Sequence, residues 1–271
     1  MKTFNFFNHY HLGDCLVSLH FLNKLVEINE IKCNFYCNQS YHSQLIELID
    51  LQDRVLLYPS NQVEGINLWC SNILYRVQNK NPENYPFYCS EQEKMEDVVQ
   101  MVYKSYELIC EENNLISPFK NKIDVLFDEK FLNKNSKIGY FDFILINSDC
   151  LSGQIKLNEN QKYDIFSKII ENLIKNNKTF ITTKKHSNYP CTQDFNLTIG
   201  EIGRLSKKCT GVIGFPTSPF WITLNRESLE NNVKYINITN DGCTFEVLDN
   251  ITTVNSNFED IELIINSTYK F

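Results

Sequence analysis

The chain has 271 residues, 42% of them hydrophobic and 22% charged. That composition suits a globular protein and allows one large domain or two compact ones of roughly 100–150 residues each. A formal net charge of −7 and a pI near 5.3 argue against a surface built to neutralise a phosphate backbone, so nucleic acid is not an expected partner.

In chain order, Thr3–Asn8 reads as a short aromatic-rich strand, broken by His11-Leu12-Gly13-Asp14. A helix follows over Cys15–Ile28, with Leu16, Leu19, Leu22, Leu25 and Val26 at helical spacing. Lys32–Cys37 reads as a strand, Tyr41–Ile49 as a short helix and Arg54–Tyr58 as a third strand running into Pro59. From Ser60 to Ser90 the pattern weakens, with Ile66–Trp69 as a further strand. Met95–Glu112 is an amphipathic helix expected to pack on the first sheet, and Asn113–Lys137 reads as a linker with a short strand at Val125–Phe127.

A second series starts with the buried-strand run Phe141–Asn147, a loop with Ser152 and Gly153, and a helix over Glu159–Lys175. It continues with a strand at Thr179–Thr183, a helix at Gly200–Lys208, a strand at Gly211–Phe215, a helix from Phe220 to Leu224 and a strand at Lys234–Ile238. Phe258–Ser267 reads as a closing helix positioned to cross back to the first domain. Alternation of this kind signals parallel sheets with crossover helices, here in two halves, residues 1–130 and 131–271.

The N-terminus turns polar after seven residues and nowhere do eighteen apolar residues run together, so the expectation is a cytoplasmic chain with neither signal core nor transmembrane segment. Ten cysteines would suggest disulfides in a secreted chain but read here as free thiols. No CxxC pair occurs, and Cys33 and Cys37 fall on one face of a strand as small buried residues. His9, His11, His20, His42 and His186 show no ligand spacing with acidic partners, so no metal site and no cofactor is expected. The six N-x-S/T sequons, at Asn38, Asn177, Asn196, Asn237, Asn250 and Asn266, read as chance in an Asn-rich chain.

Ligands in open α/β sheets bind beyond the carboxyl ends of the strands, so the loops there are where chemistry is expected. In the first such loop Gly13 would permit a tight strand-to-helix turn, and Asp14 falls where a carboxylate either caps the helix or serves as a general base, with His11 beside it. In Gly214-Phe215-Pro216-Thr217-Ser218-Pro219-Phe220-Trp221, free N–H groups at the helix start and the Thr217 and Ser218 hydroxyls would make an anion site, or an ordinary Pro-rich turn.

The stretch HLGDCLVSLHFL resembles the xxGDxxxxxPxL start of the ADP-heptose:lipopolysaccharide heptosyltransferases and related GT-B enzymes. LTIGEIGRLSKKCTGVIGFPTSPFWIT resembles the same family's C-terminal pattern, a helix LxLxELxxLxxxx leading into a strand and a VGxDTGPxHLA loop. Thr217 and Pro219 are kept, whereas Pro216 stands for the family's Asp, Ser218 for its second Gly and Trp221 for its His. The resemblance implies an α/β, GT-B-like fold of two Rossmann-like domains whose parallel sheets face a central cleft. It implies an inverting, metal-independent glycosyltransferase, residues 1–130 holding a glycan or other hydroxyl acceptor and residues 131–271 a nucleotide-sugar donor other than heptose. Asp14 matches the family's base position. Leaving-group charge would be met by Thr217, Ser218, Pro219 and a cation, Lys184 or Lys185, while Glu201 would bind ribose hydroxyls unless it only caps its helix. The absence of a DxD triplet agrees with metal independence. The alternatives on the same fold are a catalytically inactive sugar- or nucleotide-binding protein and a sugar-nucleotide epimerase.

Overall fold

The computed structural model describes residues 1–61, 64–70, 97–127, 138–149, 155, 157–239, 245, 248–255 and 261–271. Met95, the loop with Ser152 and Gly153, most of the Ser60–Ser90 stretch, the end of the expected linker and the start of the expected closing helix lie outside the described residues. The chain divides into two compact units, Met1–Phe131 and Leu132–Phe271.

In the first unit β1 (Lys2–Asn8), β2 (Ile31–Cys37), β3 (Val55–Pro59) and β4 (Ile66–Asn67) form a parallel sheet in the order β3-β2-β1-β4. Parallel neighbours need crossover connections, which α1 (Leu12–Ile28) and α2 (Gln39–Leu48) supply. Phe4, Phe6 and Asn8 of β1 and Cys33, Phe35 and Cys37 of β2 alternate inward. Burial lifts the two thiols to about 12 and about 11, so Cys33 and Cys37 behave as small apolar residues. Buried residues surround α1 almost completely, polar Ser18, His20 and Asn23 among them. One cause is that α3 (Val98–Glu112) meets α1, where the Tyr106 ring stacks on Phe21 at 4.2 Å.

The linker expectation is corrected for its described part. Phe119, Val125, Leu126 and Phe127 are buried, and Lys122–Val125 is a 3-10 helix rather than the start of a strand. Asn121 and Asp124 close a capping box around it, and that local pairing outweighs the strand preference of an apolar triplet.

The second unit is a five-stranded parallel sheet of β5 (Phe143–Ile146), β6 (Phe180–Thr182), β7 (Gly211–Gly214), β8 (Lys234–Thr239) and β9 (Ile251–Asn255), in the order β6-β5-β7-β8-β9. Helix α4 (Glu159–Lys175) starts at Asn158, which forms a capping box with Gln161. Its Phe166, Ile169, Ile170 and Leu173 pack with Phe143, Leu145, Ile213, Ile236 and Ile238 of the sheet. Each such side chain contributes about 1.5–3 kcal/mol on full burial. Helix α8 (Ile261–Tyr269) adds Ile261 and Ile265 to that core, so the closing helix packs on the sheet of its own unit. Helices α5 (Ile199–Ser206), α6 (Ser218–Thr223) and α7 (Arg226–Glu230) complete the unit, with the Tyr235 hydroxyl donating to the Thr223 carbonyl at 2.6 Å.

Two glycines of β7 are dictated by close approach. A Cβ at Gly211 would strike the Tyr269 ring, and one at Gly214 would strike the Ile146 backbone in the neighbouring strand.

Candidate functional site

In both units the candidate side chains stand beyond the carboxyl ends of strands, at the place where strand order reverses. For the first sheet, β3-β2-β1-β4, that place lies between β1 and β4. For the second, β6-β5-β7-β8-β9, it lies between β5 and β7. Open α/β sheets bind ligands at these switch points because the helices leave there in opposite directions and open a crevice.

At the first switch point the chain passes from Asn8 through His9, Tyr10 and His11 into α1, with His11 as N-cap and no side-chain cap bond of its own. Gly13 is therefore a helical residue in the first turn and not the pivot of a turn. Asp14, also in that turn, accepts from the His11 backbone N–H, the capping expected of a carboxylate there. Its side chain also has a chemical signature. Loss of hydration raises its pKa from the ordinary aspartate value, and the His11 charge and the backbone donors offset that rise only in part. Cys70 and Tyr106 lie close enough that the Asp14 charge adds to burial in raising their pKa values, Cys70 to about 12.

The backbone carrying Asp14 is fixed from behind. Ser18 Oγ donates to the Asp14 carbonyl at 2.8 Å, receives the Asn8 amide at 3.0 Å and pairs with the Tyr106 hydroxyl at 3.2 Å. Cys15 Sγ donates to the Asn8 carbonyl at 3.2 Å. Beside this network the rings of Tyr10 and Trp69 stack with centroids 3.7 Å apart. Sequence reasoning singled out neither ring, since they are brought together only by the pairing of β1 with the two-residue β4.

At the second switch point Ser148 follows β5 and Thr217 follows β7, with their hydroxyl oxygens 3.4 Å apart. Asn147 ties the end of β5 to the end of β6. Its Oδ1 accepts the Lys184 N–H at 2.7 Å, its Nδ2 donates to the Lys184 carbonyl at 2.9 Å, and Thr183 Oγ1 accepts the N–H groups of Asn147 and Ser148. Lys184 Nζ then reaches Asp149 at 3.1 Å and Glu159 at 3.1 Å, and Lys162 pairs with the same two carboxylates at 3.4 and 2.9 Å. Hydrogen bonds from Lys184 and Lys162 lower the pKa values of Asp149 and Glu159, and both lysines are raised in turn. The cluster is exposed enough that these pairs contribute little to stability and can exchange partners.

The other residues expected at this site are arranged differently. Lys185 turns away to Asp194 at 2.8 Å. Glu201 is buried and accepts from the Thr198 N–H at 2.9 Å and its hydroxyl at 3.2 Å, so its carboxylate is engaged as the helix cap. The start of α6 offers fewer backbone donors than expected. The Thr217 N–H already donates to the Phe215 carbonyl at 2.7 Å, and Pro219 carries no N–H. What Thr217 presents is its hydroxyl, which makes no cap bond. Trp221 packs edge-on against Phe245 at 5.3 Å.

Among the described residues, no group of three or more His, Cys, Asp or Glu side chains is placed to hold a metal ion. No helix among them is long and apolar enough to cross a membrane.

Neither a protein-family model nor a curated protein sequence matches the chain. Solved structures do. The E. coli heptosyltransferase WaaC with ADP is similar over 100% of this chain and 99% of its own, with a TM-score of 0.56 at 9% identity. The iron-containing dodecameric glycosyltransferase TibC from enterotoxigenic E. coli is similar over 93% of this chain and 62% of its own, at TM-score 0.54 and 11% identity. A putative UDP-N-acetylglucosamine 2-epimerase from Listeria monocytogenes is similar over 100% and 89%, at TM-score 0.50 and 11% identity. At such identities the shared property is the fold, and the chain has the two-domain α/β architecture of the GT-B type.

Proposed function

We propose that the chain is a glycosyltransferase that moves a sugar from a nucleotide-diphosphate donor to a hydroxyl acceptor, with the donor on the second unit and the acceptor on the first. The observation that carries this reading is the fold, shared from end to end with a heptosyltransferase described with ADP. The chemistry of the two switch points supports it. A diphosphate suits Ser148, Thr217 and Lys184, where two hydroxyls and a lysine can exchange their present partners for phosphate oxygens. A hydroxyl acceptor suits Asp14, the one carboxylate of the first loop, whose raised pKa makes it a stronger base near neutrality.

The reaction is an inverting displacement. Asp14 takes the acceptor hydroxyl proton as that oxygen bonds to the anomeric carbon, and the nucleoside diphosphate leaves from the opposite face. Lys184 and the two hydroxyls stabilise the charge that develops on the leaving phosphate. Ser218 and Pro219 shape the loop that presents Thr217. No metal is needed for these steps, and the protein works in the cytoplasm in glycan assembly.

A second reading, a sugar-nucleotide epimerase, is favoured by the similarity to the Listeria protein. A thermal-shift screen against UDP, GDP, ADP, CMP and TDP sugars finds the donor, because binding to the native state raises the melting temperature. Product analysis then decides. Free sugar or glycoside supports the transferase, a stereoisomeric sugar nucleotide the epimerase, and binding with no turnover an inactive binder.

A further inference from the structure

We infer that Tyr10 and Trp69 form a stacking platform for a pyranose ring of the acceptor, which makes the acceptor a saccharide; the inference rests on the transferase reading above. Both rings stand just beyond carboxyl ends of neighbouring strands, at the switch point that also holds Asp14. The same device carries each. β1 ends in Asn8-His9-Tyr10, where Asn8 Oδ1 accepts the Tyr10 N–H at 3.1 Å; β4 ends in Asn67-Leu68-Trp69, where Asn67 Oδ1 accepts the Trp69 N–H at 2.9 Å. The two strands are in register at Phe7 and Asn67, so the turns set the rings face to face, 3.7 Å apart and 19° from parallel. The two turns fix the backbone at each ring, and the rings brace one another.

Core packing alone does not account for the pair, because Tyr10 remains 41% exposed. An aromatic face in water binds the flat C–H face of a sugar ring, whose equatorial hydroxyls stay free for polar neighbours. In the same loop His11 lies close enough for its charge to act on Asp14, which stands one turn on to take a hydroxyl proton, while the His9 ring packs on Phe7. A nucleobase also stacks on aromatic rings, but it brings phosphates. The loop from Asn8 to Asp14 holds a carboxylate and no Lys or Arg, so it disfavours an anion and accepts a neutral saccharide.

The chain has two tryptophans, so Trp221→Phe leaves Trp69 as the sole tryptophan reporter. In that background, methyl glycosides of glucose, galactose, mannose, rhamnose and N-acetylglucosamine and their disaccharides are titrated while Trp69 emission is followed. At least one saccharide should give a saturable change. Tyr10→Ala should weaken its binding by about tenfold, while Tyr10→Phe, which keeps the ring, should bind as the parent does. No saturable response from any saccharide, an equal affinity in Tyr10→Ala, or a nucleoside diphosphate that perturbs Trp69 in its place overturns the assignment. Calorimetric binding of nucleoside diphosphates to the same proteins is read separately. Its absence beside intact saccharide binding sinks the transferase reading and leaves the platform standing.

Discussion

The two sheets end in opposite chemistry. The first switch point gathers one desolvated carboxylate with His11 beside it and an aromatic pair, with the Asp14 backbone pinned by Ser18. The second gathers two hydroxyls and two lysines held by two exposed carboxylates, with Lys184 open to solvent and Lys162 largely covered. The rigid, partly dry edge suits a group that must be aimed at a proton. The wet ionic edge suits a charged ligand, because its lysines already occupy positions near opposite charge and give up little on exchanging it for a phosphate. On the proposed function, one architecture used twice in a chain would divide labour through the residues that follow its strands.

The largest effect expected on that contrast is at Asp14. Asp14→Asn keeps the size of the side chain and an amide oxygen able to accept from the His11 N–H, but it cannot take up a proton. Turnover should fall by roughly 10²–10⁴ with donor affinity unchanged, as steady-state kinetics and calorimetry on one preparation will show. Near-normal turnover would reduce Asp14 to a cap and erase the distinction between the two edges.

Next comes Lys184→Met. Loss of a charge-assisted bond to phosphate costs about 1.5–3 kcal/mol, so nucleoside diphosphate affinity should drop by roughly 10- to 150-fold. The melting temperature should barely move, because the ion pairs lost are exposed. A variant that melts early and binds normally would make the network structural.

A smaller effect concerns pH. The acid limb of kcat/KM should lie above the ordinary aspartate value of about 3.9, because burial raises Asp14. Since folding raises this pKa, the protonated carboxyl favours the native state. That contribution is complete below the unfolded value and is lost as pH rises through the folded one. Asp14→Asn, neutral throughout, should therefore melt higher than wild type above that window and show no such gain below it. A kinetic limb at the ordinary value would mean that the base is solvated. The smallest effect is expected from EDTA, which should leave most activity in place; complete loss restored by manganese would contradict the metal-independent mechanism.

The strand and helix rhythm was readable because long apolar runs such as Phe143–Ile146 and the periodic face of Glu159–Lys175 carry their own signal. Ile251–Asn255 was missed, being a short polar strand defined by pairing with β8 rather than by alternation. Arg226–Glu230 was missed because five residues show no period, although Asn225 caps it. At the candidate site, the place of Asp14 at the start of the helix after β1 was legible from the Gly-Asp pair. The place of Ser148 beside Thr217 was not, since it comes from β5 lying beside β7, and no local pattern encodes which strands pair. Tyr10 and Trp69 escaped for the same reason. Glu201 could be seen either way from sequence, and its bonds to Thr198 show the cap.

The central claim is that the second switch point holds a nucleoside diphosphate. It is tested most directly by calorimetry with UDP, GDP, ADP, CDP and TDP on wild type and on the double variant Ser148→Ala, Thr217→Val, whose fold is checked by its melting temperature. The account predicts saturable binding of at least one of these by wild type and a loss of affinity of about tenfold or more in the variant, two hydroxyl bonds of about 1 kcal/mol each having been removed. Equal affinity in the two proteins, or no binding by wild type, would contradict it.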